Sequence, residues 1–369
     1  MSQEEFGYRF RQMVLGALGR LAEWHARWTN RRFYCSALAG EVRDGIFVNS
    51  DMTVSCNCQD VDGSGRLGSL RTHRFEEIFA GPVAAAFRRR LAAGQLPTSR
   101  CPACFHLSLA PVAKARGQLG GFSLPQGLSV ENTVRCNLHC RSCFRGKILK
   151  TRGASHSLSP EDVEVVAQTL RRLGARYCGF YNLGEPFFSP TIGRQLEILR
   201  RLNPEMELLT STNGLLLDSD EKRQAAMHVD DVLFSIDGIS TKMVRRYQRG
   251  GDFDRAYRNL AGLVRYRDAR GLARPRIQWK YVLFRWNDRP CYAQRAIELA
   301  RAAGADAIQF VFARTPVYGI SWRFLALPFY RSLGVRDGWR TRCVWLRPAP
   351  TNLLSQDPTA GQEHDARAA

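Results

Sequence analysis

The sequence predicts an α/β fold, an open partial (β/α)6 barrel preceded by a small cysteine-rich module. Three observations predict it. Short apolar runs alternate with amphipathic stretches from about residue 128 to 311, the pattern of repeated βα units around a parallel sheet. Six strand candidates fall there, fewer than the eight of a closed barrel, so the ring is expected to stay open. Five of the eleven cysteines lie ahead of that block, between residues 32 and 107.

Taken in order, residues 1–31 read as an amphipathic helix with Phe10, Val14, Leu18 and Leu21 on one face. The favoured expectation packs that face on the protein's own core, and attachment to a membrane surface is the alternative. Residues 32–120 form the cysteine-rich module, with turns at 62–65 and a helix over about 75–92. Residues 121–315 form the barrel, with strands expected at 128–133, 177–182, 206–211, 231–236, 276–284 and 305–311. Between the first two strands, Ser159 reads as a helix N-cap followed by Pro160, with Val163, Val166, Leu170 and Leu173 at helical spacing and Gly174 at the end. Further helices are expected over 192–202, 254–268 and 292–303. Residues 316–347 are a C-terminal extension, and the polar, aperiodic stretch 348–369 is expected to be a disordered tail.

Every long apolar stretch is interrupted by charge before the roughly 18 residues that a membrane span needs. The opening residues, with Glu4, Glu5, Arg9 and Arg11, lack the order of a secretory signal. A cytoplasmic location is therefore expected, and in reducing cytosol eleven cysteines point to metal ligation before disulfides. Lysine and arginine outnumber acidic residues 54 to 34, a net charge of +20 that attracts anionic partners. An acidic flavodoxin or ferredoxin donor suits that field. Nucleic acid is disfavoured, because the arginines are spread along the chain and no zinc-finger, RNA-recognition or helix-turn-helix signature is found.

Cys136, Cys140 and Cys143 follow the first barrel strand with C-x3-C-x2-C spacing. Three thiolates on one short loop suit three irons of a cubane, leaving the fourth iron open to an outside ligand. A zinc site is the competing use of three cysteines, but zinc favours four tetrahedral ligands and paired C-x2-C units. Downstream stand Asn182-Leu183-Gly184-Glu185-Pro186, Ser211-Thr212-Asn213-Gly214 and Ser235-Ile236-Asp237-Gly238, each after a predicted strand. Alone, each would be an ordinary turn or strand exit. Together with Glu131, Thr133 and Arg135 before the cysteines and Tyr247-Gln248-Arg249-Gly250-Gly251 after, they give the chain a resemblance to the radical S-adenosylmethionine superfamily. Leu183 stands where that family usually has glycine, and Ser142 where an aromatic residue often packs on adenine.

The resemblance implies a [4Fe–4S] cluster on the three cysteines and S-adenosylmethionine on its open iron. It implies that Gly184 and Glu185 bind the methionyl amino group, and that Ser211, Asn213 and Asp237 contact the ribose and the carboxylate. A second resemblance, to SPASM or twitch modules, rests on the run 49–56, on Phe75-Glu76-Glu77-Ile78-Phe79 and on Cys101-Pro102-Ala103-Cys104, with the module ahead of the barrel instead of after it. It implies an auxiliary [4Fe–4S] cluster on Cys35, Cys56, Cys101 and Cys104, and structural zinc on the same four residues stays open. Cys58, two places beyond Cys56 on an extended run, should point to the opposite face. Cys178 and Cys291 read as buried thiols, while Cys343 is within possible reach of a cluster from the C-terminal side.

The expected reaction is hydrogen abstraction by a 5′-deoxyadenosyl radical, giving an oxidised or crosslinked ribosomal peptide or protein. Dehydrogenation or epimerisation of a carbohydrate or other small metabolite is the alternative substrate reading. A non-catalytic iron–sulfur scaffold or redox sensor is the alternative from another class. Tyr181, Gln278, Lys280 and Gln309, near strand ends, are candidates to face the substrate.

Overall fold

The computed structural model describes residues 3–56, 60–152, 157–312, 316–326 and 341–347; Cys58 and the stretch 348–369 lie outside the described residues. Helix α1 (Gln3–Trp28) leads into strand β1 (Arg31–Cys35), and short strands β2 (Phe47–Val48), β3 (Thr53–Ser55) and β4 (Arg66–Ser69) follow. Helices α2 (Phe75–Ala80) and α3 (Pro82–Ala92), strand β5 (Leu107–Pro111) and helix α4 (Val112–Gly117) complete the cysteine-rich block. Strands and helices then alternate: β6 (Gly127–Val130), α5 (Arg145–Arg152), α6 (Pro160–Arg172), β7 (Tyr177–Phe180), α7 (Ile192–Leu202), β8 (Glu207–Thr212), α8 (Asp220–Ala226) and β9 (Asp231–Ser235). The alternation continues through α9 (Thr241–Val244), α10 (Phe253–Asp268), β10 (Arg276–Leu283), α11 (Pro290–Ala302) and β11 (Ala307–Phe312), with α12 (Trp322–Ala326) and β12 (Thr341–Trp345) after it.

Strands β6 to β11 pair parallel in sequence order, which is the predicted partial (β/α)6 barrel. All six predicted strands are present, with ends displaced by at most three residues. Their burial is nearly continuous, as β6, β7 and most of β9 show, because helices cover one face and the barrel interior the other. Local signals set the helix starts. Ser159 caps α6, accepting the Asp162 N–H at 3.1 Å, with Pro160 in the first turn. Asp252 caps α10 in the same way through the Arg255 N–H, one residue ahead of the expected start. The single helix expected over 75–92 is two, broken at Gly81 and restarted by Pro82, whose ring cannot continue a preceding helix.

The cysteine-rich block, expected to be separate, is continuous with the barrel sheet. Strand β2 pairs parallel with β6, Val48 opposite Val130, and β3 and β4 extend the sheet antiparallel beyond it. Buried residues of both blocks, among them Phe33, Val54, Phe75, Leu128, Leu208 and Trp279, belong to one hydrophobic core. Arg88 on α3 stiffens the block. Its guanidinium lies 3.7 Å from the Phe122 ring centre and 4.7 Å from that of Phe79, while it donates to the Leu38 and Phe79 carbonyls.

Helix α1 corrects the packing expectation. Its buried residues are Leu15 and Ala26, with Gly19 and Ala22 partly buried beside them, while Phe10, Val14, Leu18 and Leu21 are exposed. Small residues let the helix backbone sit close to the 96–102 loop: a Cβ on Gly19 would come 3.4 Å from Pro102. The bulky face is left outward. No helix among the described residues is long and apolar enough to cross a membrane.

Candidate active site

The C-terminal ends of adjacent parallel strands converge, and this is where open α/β sheets place their chemistry. After β6 the chain runs through Glu131, Thr133 and Arg135 into the loop that holds Cys136, Cys140 and Cys143. Backbone bonds clamp this loop from the 245–251 segment: His139 N–H donates to the Arg249 carbonyl and Arg141 N–H to that of Tyr247, both at 3.0 Å. Helix α5 starts two residues after Cys143, and Arg145 donates back to the Leu138 carbonyl at 2.9 Å. The loop is therefore fixed at both ends.

The loop after β7 lies against it. Glu185 N–H donates to the Arg135 carbonyl at 2.8 Å, and a Cβ on Gly184 would fall 1.9 Å from the Thr133 carbonyl oxygen. Only glycine fits there. Leu183, in the place where glycine was expected, packs with Val61, Val134, Ile148 and Phe144 instead. The buried Glu185 carboxylate accepts from Thr212 Oγ1 and the Asn213 N–H, both at 2.7 Å, and from the Phe187 N–H at 3.3 Å. Burial raises its pKa to about 7, and those three donors pull the other way.

Asn213 reaches the cluster loop, donating to Asn137 Oδ1 at 2.8 Å with its Nδ2 3.9 Å from the Cys136 sulfur. Ser211 pairs with Ser235 at 3.2 Å and accepts from Lys280 Nζ at 3.2 Å. Asp237 is buried and accepts the Val282 N–H at 3.1 Å; burial raises its pKa to about 7, offset in part by that bond and by the Lys280 charge. Gly184, Glu185, Ser211, Asn213 and Asp237 therefore lie at or just past the C-terminal ends of β7, β8 and β9.

The thiols suit a cluster by their chemistry. Cys140 is close enough to feel the charges of Cys143, Asp237 and Cys136, and Cys136 those of Glu185 and Cys143. Burial pushes Cys136 up to about 11 and raises the other two, and a metal bound to the sulfurs would favour their thiolate form. Among the described residues, no group of three or more His, Cys, Asp or Glu side chains is placed to hold a metal ion.

The second set is gathered likewise. Cys56 lies within electrostatic reach of Cys35, Cys101, Cys104 and Asp60, although β1, β3 and the 101–104 turn are far apart in sequence. Beside them Arg88 Nη2 is buried without a hydrogen-bond partner, and its positive charge acts on Cys35. A buried guanidinium with one unpaired nitrogen, its charge acting on Cys35, fits an anionic thiolate-ligated centre. The two cysteine sets are linked, since Arg100, next to Cys101, stacks 5.3 Å from the ring of Phe144, next to Cys143.

The remaining cysteines divide. Cys178 is fully buried, as expected, whereas Cys291, expected to be buried, is exposed at the start of α11. Cys343 sits on β12, at the opposite sheet edge from β2–β4. Sequence reasoning quoted Gln248 within the 247–251 run without a role, and missed Asn287; Gln248 accepts from the Asp237 N–H and donates to the Ser235 carbonyl, and Asn287 donates to the Asp237 carbonyl. It missed Ser50 as well, which donates to the Glu131 carboxylate across the junction of the two blocks. Amide and hydroxyl side chains in turns carry no distinguishing spacing, so even where a quoted run contains them their partners cannot be read from it.

Residues 130–268 match the model of the radical SAM superfamily. A probable GTP 3′,8-cyclase of Methanosarcina acetivorans is 32% identical over 116 residues, 31% of this chain and 34% of that protein. The FeMo cofactor biosynthesis protein NifB of Frankia alni is 31% identical over 120 residues, 30% of this chain and 23% of that protein. The chain thus spans about a third or less of the length of these curated relatives. Native anSMEcpe with bound AdoMet and Cp18Cys peptide superposes on 56% of this chain and 57% of its own, at 17% identity and a TM-score of 0.40. The cysteine loop and the strand-end residues Gly184, Glu185, Ser211, Asn213 and Asp237 all fall inside the span, 130–268, that matches the radical SAM superfamily model.

Proposed function

We propose that the chain cleaves S-adenosylmethionine reductively and uses the resulting radical to abstract hydrogen from a substrate. The observation that carries this reading is the convergence of Cys136, Cys140 and Cys143 with Glu185, Ser211, Asn213 and Asp237 at the ends of successive strands. When bound, a [4Fe–4S] cluster and S-adenosylmethionine would supply an electron to the sulfonium and a 5′-deoxyadenosyl radical.

The chain's own residues do the positioning. Cys136, Cys140 and Cys143 would hold the cluster, and the 245–251 clamp keeps their loop in place. Glu185 has one acceptor position left beyond its three donors, suited to the methionyl amino group beside Gly184. Lys280 and Ser211 offer a cation and a hydroxyl to a carboxylate, and Asn213 offers an amide near the cysteine loop. Asp237, held by Val282, Gln248 and Asn287, keeps its strand end rigid.

Cys35, Cys56, Cys101 and Cys104 are assigned to an auxiliary [4Fe–4S] cluster, with Arg88 as the charge that stabilises its thiolates. Zinc on the same residues is the alternative. For substrate, a small metabolite moves ahead of a ribosomal peptide, because the curated relatives are named for GTP and for a metal cofactor. The electron donor is assigned as an acidic flavodoxin or ferredoxin, drawn by the +20 charge, in a cytoplasmic setting.

The test is anaerobic incubation of reconstituted protein with dithionite and S-adenosylmethionine. We expect 5′-deoxyadenosine from the intact chain and none from Cys140→Ala. Its absence from protein carrying its full iron would overturn the reading. Iron and zinc analysis of Cys35→Ala separates the auxiliary assignments: lost iron supports the cluster, and lost zinc with unchanged iron overturns it.

A further inference from the structure

Helix α1 carries its apolar surface on the wrong side for a helix that serves only its own core. The face against the body is made of Leu15, Gly19, Ala22 and Ala26, and Glu23 fixes the rotation by accepting the Leu96 N–H at 2.8 Å. The opposite face presents Phe10, Met13, Leu18, Leu21, Trp24 and Trp28, with Leu21 and Trp24 each 62% exposed and Trp28 74% exposed. On a helix turning 100° per residue these six side chains form one stripe, running about 27 Å at 1.5 Å per residue. Trp24 and Trp28 stack with their planes 2° apart and their ring centres 6.0 Å apart, so two indoles face outward together.

Charge selects the occupant. Arg20 and Arg27 are exposed on the same helix, Arg31 is exposed just beyond its end, and the whole chain carries +20. A second copy would bring the same arginines and the same net charge against this stripe. An anionic lipid surface would instead meet the arginines with opposite charge and the stripe with acyl chains, while indoles favour the headgroup boundary. We propose that α1 docks the protein on the surface of an anionic membrane, lying in the interface plane without crossing it.

The experiment is flotation of the full-length reconstituted protein with phosphatidylcholine vesicles, made with and without phosphatidylglycerol. The chain should float with the anionic vesicles only, and added salt should weaken the association. Leu21→Glu with Trp24→Glu should lower the bound fraction about tenfold or more. Arg20→Glu with Arg27→Glu should lower it too, and neither pair should change 5′-deoxyadenosine formation in solution. Should the bulky-face variant fail to fold, the arginine variant still decides. Absence of binding to anionic vesicles would overturn the proposal, as would equal binding by the arginine variant. A vesicle-free dimer that Leu21→Glu dissociates, with no lipid binding by the intact chain, would assign the stripe to a second copy and likewise overturn it.

Discussion

Glu185 shows how one buried side chain can both build a site and set its pH response. Its carboxylate ties the loop after β7 to the end of β8 through Thr212 and Asn213, with no cation among the three donors. Burial therefore dominates, and the group titrates at about 7 in the ligand-free protein. Below that value it is protonated and a poorer acceptor; above it the carboxylate is available to an amino group. The affinity for S-adenosylmethionine should rise with pH up to about 7 and then level off, falling about tenfold for each unit below. Glu185→Gln should remove that limb and weaken binding by about 10- to 100-fold, the worth of one charge-assisted hydrogen bond. Isothermal titration across the range, with cluster content matched between proteins, measures both. A wild-type curve flat through pH 7 would refute the role given to this carboxylate.

At the scale of elements, stability rests on carboxylates that stitch neighbouring strands. Asp230, just before β9, accepts the Leu208 N–H of β8 at 2.7 Å, Arg274 at 2.7 Å and Arg200 of α7 at 2.5 Å. Burial acts to raise its pKa, but these donors outweigh it and hold the group below the ordinary 3.8. A depressed folded-state pKa contributes stability above the unfolded value, and that contribution is lost as pH falls through the folded one. Asp230→Asn should thus cost about 2 kcal/mol at neutral pH. The gap from wild type should begin to narrow below about pH 4, where the unfolded chain takes up the proton, and close only once pH falls below the depressed folded-state value. Urea unfolding at pH 7 and at pH 3 reads the difference. An equal gap at both would mean that geometry, not charge, sets the contribution.

For the whole molecule, the shared sheet predicts that the barrel does not stand without the block before it. Removing β2–β4 would bare the edge of β6 and the apolar residues Leu128 and Val130, and it would take away Ser50 from the Glu131 carboxylate. The segment 121–369 expressed alone should be insoluble or molten, and the intact chain should melt in one calorimetric transition that spans both blocks. A well-folded barrel fragment with native-like melting would show that the two blocks are independent.

Much of this was already written in the sequence. Strand order, the Ser159 cap, the cysteine loop and the strand-end residues Glu185, Ser211, Asn213 and Asp237 are all local signals, because period, capping chemistry and motif spacing act within a few residues. What the tertiary structure alone decided concerns partners brought from far along the chain: that β2 pairs with β6, that Arg88 comes beside Cys35, and that Gln248 and Asn287 hold Asp237. It also decided which face of α1 is covered, since Gly19 and Ala22 approach the body more closely than Leu18 or Leu21 could. Hydropathy along the chain registers how apolar a face is, whereas closeness of approach depends on the shape of a surface that exists only after folding.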